Sequence, residues 1–122
     1  MNELTKYTKD CFLRGDDDLK TIEILLEEEG VPNVICFHAQ QATEKYLKGF
    51  LAYRKKNVRK IHNLASLLEA CVVVDGSFSE LLEDAKFLDQ FYTDTRYADD
   101  YMKFSKEDAQ KAFEAARHIK EF

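Results

Sequence analysis

Apolar side chains recur at steps of three and four residues through most of the chain, the spacing of one face of an α-helix. The first such stripe runs from about Glu3 to Glu29 and keeps its phase across Gly15. It predicts one continuous helix in which Gly15 lets another helix approach closely. The alternative is a break at Gly15, with one of the aspartates 16–18 capping a second helix. Gly30 is expected to end the helix.

A second apolar stripe predicts a helix over residues 33–55. Its apolar face is the widest in the chain, which indicates contact with several other helices. Small residues on that face, among them Ala39, Ala42 and Gly49, permit close approach of the neighbouring helices. We therefore expect this helix to be the centre of the fold.

Short polar sequences predict where the remaining helices begin. Asn63 is a plausible N-cap for a third helix that ends at about Val74. Residues 77–80 fit a capping box for a fourth helix, and residues 105–108 fit a second such box for the last helix. Between them, Thr93–Phe104 is aromatic and acidic without a clear period, so a structured connection is expected there.

These elements predict an all-α protein with one domain over residues 1–122. The expected architecture is an up-and-down four-helix bundle with a short extra helix or a structured connection. The chain of 122 residues has only 4 Gly and 1 Pro, which argues against an all-β fold, since tight turns need these residues. The β-like run Val72–Val74 is too short to found a sheet.

Cellular context follows from segments that the sequence lacks. No apolar run approaches the roughly 20 residues of a membrane helix, and the N-terminal residues do not resemble a signal peptide. Cytoplasmic location without membrane contact is expected. The cysteines, Cys11, Cys36 and Cys71, are three and widely spaced, which fits buried thiols in a reducing compartment. No short Cys or His spacing predicts a metal site.

Charge is unevenly distributed along the chain, whose formal net charge is -5. Residues 45–60 carry seven basic side chains and no acidic one. Such a segment can meet an anionic partner. It can also be a solvated helix end, because Lys and Arg favour helix C-termini.

One candidate site is a row of polar side chains on the predicted second helix: His38, Gln41, Lys45 and Lys48. Steps of three and four residues place them on one side of the helix. Together they can present amide and cationic donors to a phosphate. The other interpretation is ordinary pairing along a helix surface, with Glu44 adjacent.

A second candidate cluster consists of His62, Arg96 and Tyr97. An arginine can bind phosphate, and an aromatic ring can stack on a base. His62 is the natural proton carrier near neutral pH, so His62 and Arg96 are the candidate catalytic residues. The structural alternative is that Arg96 pairs with nearby aspartates, that Tyr97 is a core aromatic and that His62 caps the third helix.

Several of these residues lie in segments that resemble the HEPN domain family. The similarity is carried by residues 37–49 (FHAQQATEKYLKG), by residues 62–64 (HNL), by Arg96-Tyr97 and by the Ala-rich last helix, in that order. It covers nearly the whole chain. The resemblance implies a four- or five-helix bundle, commonly a homodimer, often encoded beside a minimal nucleotidyltransferase in toxin–antitoxin or related pairs.

The resemblance also implies a function. We expect a module that needs no cofactor and binds a nucleotide or the phosphate of an RNA. Its expected ligand-binding residues are Gln41, Lys45, Lys48, His62, Arg96 and Tyr97.

Other HEPN branches are metal-independent ribonucleases, in which four to six residues separate an arginine from a histidine. Here two residues separate Arg59 from His62, and seven separate Arg54 from it. The ribonuclease spacing is therefore absent, which favours a binding module over an enzyme. The alternative is a divergent ribonuclease in which His62 and Arg96 meet in space, and enzymatic activity stays open at this point.

Overall fold

The computed structural model describes residues 6–56, 61, 63–91 and 104–121. These residues form five α-helices and one 3₁₀ helix, and no strand is found among them. The α-helices are α1 (Lys6–Glu27), α2 (Pro32–Tyr53), α3 (Leu64–Val74), α4 (Leu82–Asp89) and α5 (Lys106–Glu121), and the 3₁₀ helix (Gly76–Leu81) joins α3 to α4. The predicted all-α bundle is confirmed. None of the described helices is both long and apolar enough to cross a membrane.

Helix α1 is continuous through Gly15, as its unbroken stripe predicts. A Cβ atom at Gly15 would lie only 2.7 Å from Cε1 of Tyr46 on α2, closer than real Cβ atoms come to a neighbour. The expected close approach of a second helix at Gly15 is therefore confirmed. A larger residue at this position would push the Tyr46 ring away and separate the two helices.

The end of α1 differs in one detail from the prediction at Gly30. The residue with left-handed backbone is Glu29, with φ of 55°, and not the glycine that follows it. The Gly30 N–H donates to the Leu25 carbonyl (2.6 Å), and the Glu29 N–H donates to the Leu26 carbonyl (3.4 Å). This is the hydrogen-bond pattern of a Schellman motif, in which Gly30 is the residue after the left-handed position.

Helix α2 is the centre of the bundle, as predicted. It packs against α1, α3, α4 and α5, and 13 of its 22 residues are buried. Ala39 and Ala42 are fully buried. A Cβ atom on Gly49 would lie 2.6 Å from Cε1 of Phe12, so this glycine admits the Phe12 ring of α1. Small residues on α2 therefore set the distance between the helices.

Side chains cap the helices at two of the predicted places. Asn63 Oδ1 accepts a hydrogen bond from the Ser66 N–H (2.9 Å) at the start of α3. Ser105 and Asp108 form a reciprocal capping box at the start of α5, with both bonds at 3.0 Å. Both predicted caps are confirmed, and each satisfies backbone N–H groups that have no partner within the helix.

The predicted capping box at residues 77–80 is wrong. These residues lie inside the 3₁₀ helix, and the residue that caps it is Asp75. Asp75 Oδ1 accepts bonds from the Ser77 N–H (3.0 Å) and from the Ser77 hydroxyl (2.7 Å). The stronger carboxylate acceptor two residues upstream thus engages the serine, and α4 begins at Leu82 without a side-chain cap.

The predicted connection at residues 93–104 lies outside the described residues except for its last position. Phe104 is buried, and its N–H donates to Asn33 Oδ1 at 2.9 Å. The rings of Phe91 and Phe104 meet edge to face, with centroids 4.8 Å apart. The two residues that flank the segment 92–103 are therefore in contact with each other in the core.

The three cysteines are free thiols in the interior, as predicted. Burial raises the pKa of Cys36 and of Cys71 to about 12 in each case. Both thiols therefore stay protonated and unreactive at neutral pH.

The central placement of α2 leads to a prediction for Ala42→Asp. The new carboxylate would enter a fully buried position where nothing compensates its charge, so we expect a loss of about 3 kcal/mol or more in the free energy of unfolding. Urea denaturation followed by circular dichroism measures it. Ser66→Asp adds the same group at an exposed position of α3 and is the control, with a change within about 0.5 kcal/mol. An unchanged melting curve for Ala42→Asp would contradict the placement.

Candidate functional site

The polar row of α2 exists in the structure, and each of its lysines is held by a carboxylate. Lys45 Nζ lies 2.7 Å from Asp18 Oδ2 on α1. Lys48 Nζ lies 3.1 Å from Glu44 Oε2, one turn away on α2 itself. Gln41 lies on the same side of α2, because steps of three and four residues separate it from both lysines. The structure thus brings Gln41, Lys45 and Lys48 together as the sequence predicts.

Asp18 is the residue that joins this row to α1. Its side chain is only 12% exposed, and its two oxygens contact two different residues of α2. Oδ1 lies 3.0 Å from His38 Nδ1, and Oδ2 accepts the bond from Lys45. A carboxylate this buried requires such partners, since burial of an unpaired charge is costly. Asp18 therefore fixes the positions of His38 and Lys45.

A second line of polar side chains, deeper in the bundle, shares Gln41 and Lys48 with the row. Gln41 donates from Nε2 to Gln40 Oε1 at 2.7 Å, and Gln40 in turn donates to Glu44 Oε1 at 3.4 Å. Gln40, Glu44 and Lys48 are all buried. Pairing along the helix is therefore confirmed for Glu44 and Lys48, but in the interior and not on the surface. Lys45 instead pairs between helices.

Asp16, two residues before Asp18 on α1, forms a related cluster. The Tyr46 hydroxyl donates to Asp16 Oδ1 at 2.6 Å, and Lys120 Nζ on α5 lies 3.1 Å from the same oxygen. Burial, followed by the bond to Asp16, raises the pKa of Tyr46 above its usual range. Asp16 thus links α1, α2 and α5.

Asp16 and Asp18 are the residues of the candidate site that the sequence analysis missed. The run of three aspartates after Gly15 suggests a helix cap, and α1 has no break for them to cap. One signal was present in the sequence: position 18 lies three residues after Gly15 and four before Ile22, which places it on the apolar stripe. A carboxylate on a buried face needs a cation on the facing helix.

His62, Arg96 and Tyr97 lie outside the described residues, so their predicted meeting with the row of α2 stays a prediction. The start of α3 already has other caps. Besides Asn63, the Asp89 carboxylate of α4 accepts the N–H groups of Leu64 (2.6 Å) and Ala65 (3.1 Å). The first three N–H groups of α3 are thus occupied by two side chains other than histidine.

The row has hydrogen-bond donors in fixed positions with little net charge, and Gln41 and Lys45 are its more accessible donors, because the Lys48 side chain is only 8% exposed. Lys45 and Lys48 face Asp18 and Glu44, so two positive and two negative charges balance. An ammonium group has three N–H donors, and the contact of Lys45 with Asp18 uses one of them. Across the described ranges, no three His, Cys, Asp or Glu side chains are grouped so as to hold a metal ion. The chemistry that this arrangement supports is short-range donation to an anionic oxygen.

Comparison with known proteins agrees with the fold and with the sequence pattern. The family model described as "HEPN domain" matches residues 8–122. Two solved structures have the same fold. The structure of TT1696 from Thermus thermophilus is 28% identical with a TM-score of 0.81, and the match covers 96% of this chain and 95% of that one.

The second solved structure is ST0689, described as an archaeal HEPN homologue. It is 26% identical with a TM-score of 0.77, and the match covers 96% of this chain and 94% of that one. A comparison with curated proteins returned no match.

The contacts of Asp18 predict the effect of Asp18→Asn. The substitution removes the charge that holds Lys45 and His38, so we expect the free energy of unfolding to fall by about 1–2 kcal/mol. The matched control is Asp17→Asn, because Asp17 is the exposed neighbour on the same turn and its expected change is within about 0.5 kcal/mol. Guanidinium denaturation measures both. Equal effects of the two variants would show that the contacts of Asp18 contribute nothing to stability.

Proposed function

The chain belongs to the HEPN domain family, and we propose that it is a cytoplasmic, non-catalytic binding module for the phosphate of a nucleotide or of an RNA. The observation that carries this proposal is the row of Gln41, Lys45 and Lys48 on one side of α2, in which Asp18 and Glu44 hold the two ammonium groups in place. Donors that are already positioned lose little conformational entropy when a ligand binds.

Because the charges within the row cancel, other residues of the proposed site must supply the positive charge that attracts a phosphate. Because the lysines face carboxylates, the row gives directional donors but only a weak electrostatic attraction for a phosphate. In the proposed site Arg96 supplies the main positive charge, since a guanidinium binds a phosphate through two parallel bonds. Tyr97 stacks on the base, and His62 completes the set of donors.

The proposed biological setting is a pair with a nucleotidyltransferase, in a toxin–antitoxin or related system. Family membership supports this setting, and a direct test is available. We expect this chain to co-purify with a minimal nucleotidyltransferase encoded by the adjacent gene when the two are expressed together. An adjacent gene of another kind would remove the support for this partner.

Substitution of Arg96 tests the binding site. We expect Arg96→Ala to weaken binding of ATP, or of a labelled single-stranded RNA of twelve nucleotides, by several-fold to about a hundredfold, as for loss of a charge-assisted bond of about 1.5–3 kcal/mol. Fluorescence anisotropy in EDTA measures the affinity. The melting curve is expected to stay nearly unchanged. Arg14→Ala, which removes an exposed arginine from α1, is the matched control and should bind as the unmodified protein does.

The same samples decide between the alternatives. A large loss of stability in Arg96→Ala with unchanged binding would show that Arg96 is a structural tie to nearby aspartates. Cleavage of the RNA in EDTA, lost in both His62→Ala and Arg96→Ala, would instead indicate the divergent ribonuclease. Neither result is expected for a binding module.

We further propose that the protein is a homodimer, and light scattering tests it. Among the described residues, large apolar side chains stay exposed around the turn between α1 and α2: Ile24 at 51%, Val31 at 55% and Val34 at 41%. Such groups favour an association surface. We expect a mass of twice 14.2 kDa at micromolar concentration. Val34→Lys should shift it toward the monomer, whereas Val73→Lys on α3 should not. A mass of 14.2 kDa for the unmodified protein would contradict the proposal.

A further inference from the structure

A cleft of about 540 Å³ opens on the side of α2 that carries Tyr46, Leu47 and Phe50. Helix α1 forms one wall with Phe12, and the start of the 3₁₀ helix forms the opposite wall with Phe78. The volume lies within the range of small-molecule sites, which are mostly apolar with a few polar groups. None of the residues that line the cleft belongs to the polar row of Gln41, Lys45 and Lys48.

Aromatic rings make up much of the lining. The described part of the chain contributes four, on Phe12, Tyr46, Phe50 and Phe78. The rings of Phe50 and Phe78 lie with centroids 4.7 Å apart and planes inclined by 43°. Aromatic faces bind flat or extended apolar groups, and they attract cations through their negative π-surfaces. The lining therefore suits an apolar body that carries a positive charge.

The carboxylates of the cleft present open hydrogen-bond acceptors, beside the N–H groups of Lys120 that its contact with Asp16 leaves unused. The Tyr46 hydroxyl is engaged with Asp16 Oδ1, and the N–H and hydroxyl of Ser77 are engaged with Asp75 Oδ1. The second oxygen of each carboxylate, Asp16 Oδ2 and Asp75 Oδ2, accepts no hydrogen bond from any described residue. Both carboxylates are accessible to solvent, so water reaches these oxygens, and a ligand that donates hydrogen bonds can replace it.

Charge favours the same kind of ligand. Among the described residues, two carboxylates and one ammonium line the cleft, and that ammonium, on Lys120, is already paired with Asp16 at 3.1 Å. The hydrogen bonds from Ser77 hold the pKa of Asp75 below its usual range, so Asp75 is ionised at neutral pH. The open oxygen of Asp75 attracts an ammonium and repels an anionic ligand, and both effects are reduced by solvent and by the charge of Arg54, which also acts on this exposed carboxylate.

We propose that this cleft binds a small organic cation, namely a primary ammonium on an aromatic or alkyl body. The ammonium donates to Asp75 Oδ2, and the apolar body lies between the rings of Phe50 and Phe78. This ligand differs in sign of charge from the proposed phosphate, and none of the described residues that line the cleft belongs to the proposed phosphate site. Failure of one proposal therefore leaves the other untouched.

Three probes of similar size and different charge test the proposal: 4-phenylbutylamine, the neutral 4-phenylbutanol and the anionic 4-phenylbutyrate. Each is titrated into the full-length ¹⁵N-labelled protein, and amide chemical shifts give the affinity and the place of binding. We expect the amine to bind about tenfold more tightly than the alcohol and the acid most weakly. The shifts should centre on the amides of Phe50, Ser77 and Phe78.

Two variants separate the charge from the cleft itself. Asp75→Asn keeps an oxygen that can accept the hydrogen bonds from Ser77 and removes the negative charge. It should therefore weaken binding of the amine about tenfold and leave binding of the alcohol unchanged. Glu80→Gln removes an exposed acid from the same 3₁₀ helix outside the cleft and is the matched control, with no effect expected on any probe. Melting curves confirm that both variants are folded.

The proposal is overturned by any of four results. These are equal affinity of the amine and the alcohol, tightest binding of the acid, shifts centred away from the cleft, and no binding of the amine at millimolar concentration. An amine affinity that Asp75→Asn leaves unchanged would likewise remove Asp75 as the anchor. Loss of affinity for all three probes in Phe50→Leu, by contrast, would support binding between the rings.

Discussion

The close contact of α1 with α2 determines most of what this bundle can present to a ligand. Two glycines without side chains make it possible: Gly15 against the Tyr46 ring and Gly49 against the Phe12 ring. They sit on opposite partners, one on each helix, so each helix accepts an aromatic ring of the other. Because a Cβ atom at either position would collide with that ring, the spacing of the two helices has little freedom.

This contact also determines which side chains of α2 the carboxylates of α1 meet. Asp16 and Asp18 follow Gly15 closely in the sequence. Because α1 and α2 are close together at Gly15, these two carboxylates lie against α2. Asp18 then pairs with Lys45 and contacts His38, and Asp16 accepts the bond from Tyr46. Desolvation offsets much of the attraction within such partly buried ion pairs, so their net contribution to the stability of the fold is small. Their main effect is to fix the positions of the paired side chains. The pairs fix the polar side chains of α2 in position relative to α1.

Two surfaces of different character result, on different sides of α2. One is the polar row of Gln41, Lys45 and Lys48, in which fixed donors are balanced by carboxylates. The other is the aromatic cleft, in which Asp16 and Asp75 leave acceptors open. A donor surface fits an anion and an acceptor surface fits a cation. The two proposed sites therefore concern ligands of opposite charge on different sides of α2.

The sequence by itself was enough to predict the helices, because the spacing of apolar residues and the capping residues are local signals. The unbroken stripe through Gly15, the cap at Asn63 and the box at residues 105–108 each act within a few residues of the feature they specify. Local reasoning failed where two local acceptors competed, at Asp75 and Ser77. The contacts of Asp18, Asp16 and Asp89 were decided by tertiary structure alone. Each joins residues at least 20 positions apart, and no spacing rule along one helix specifies which carboxylate a lysine or a helix end will meet.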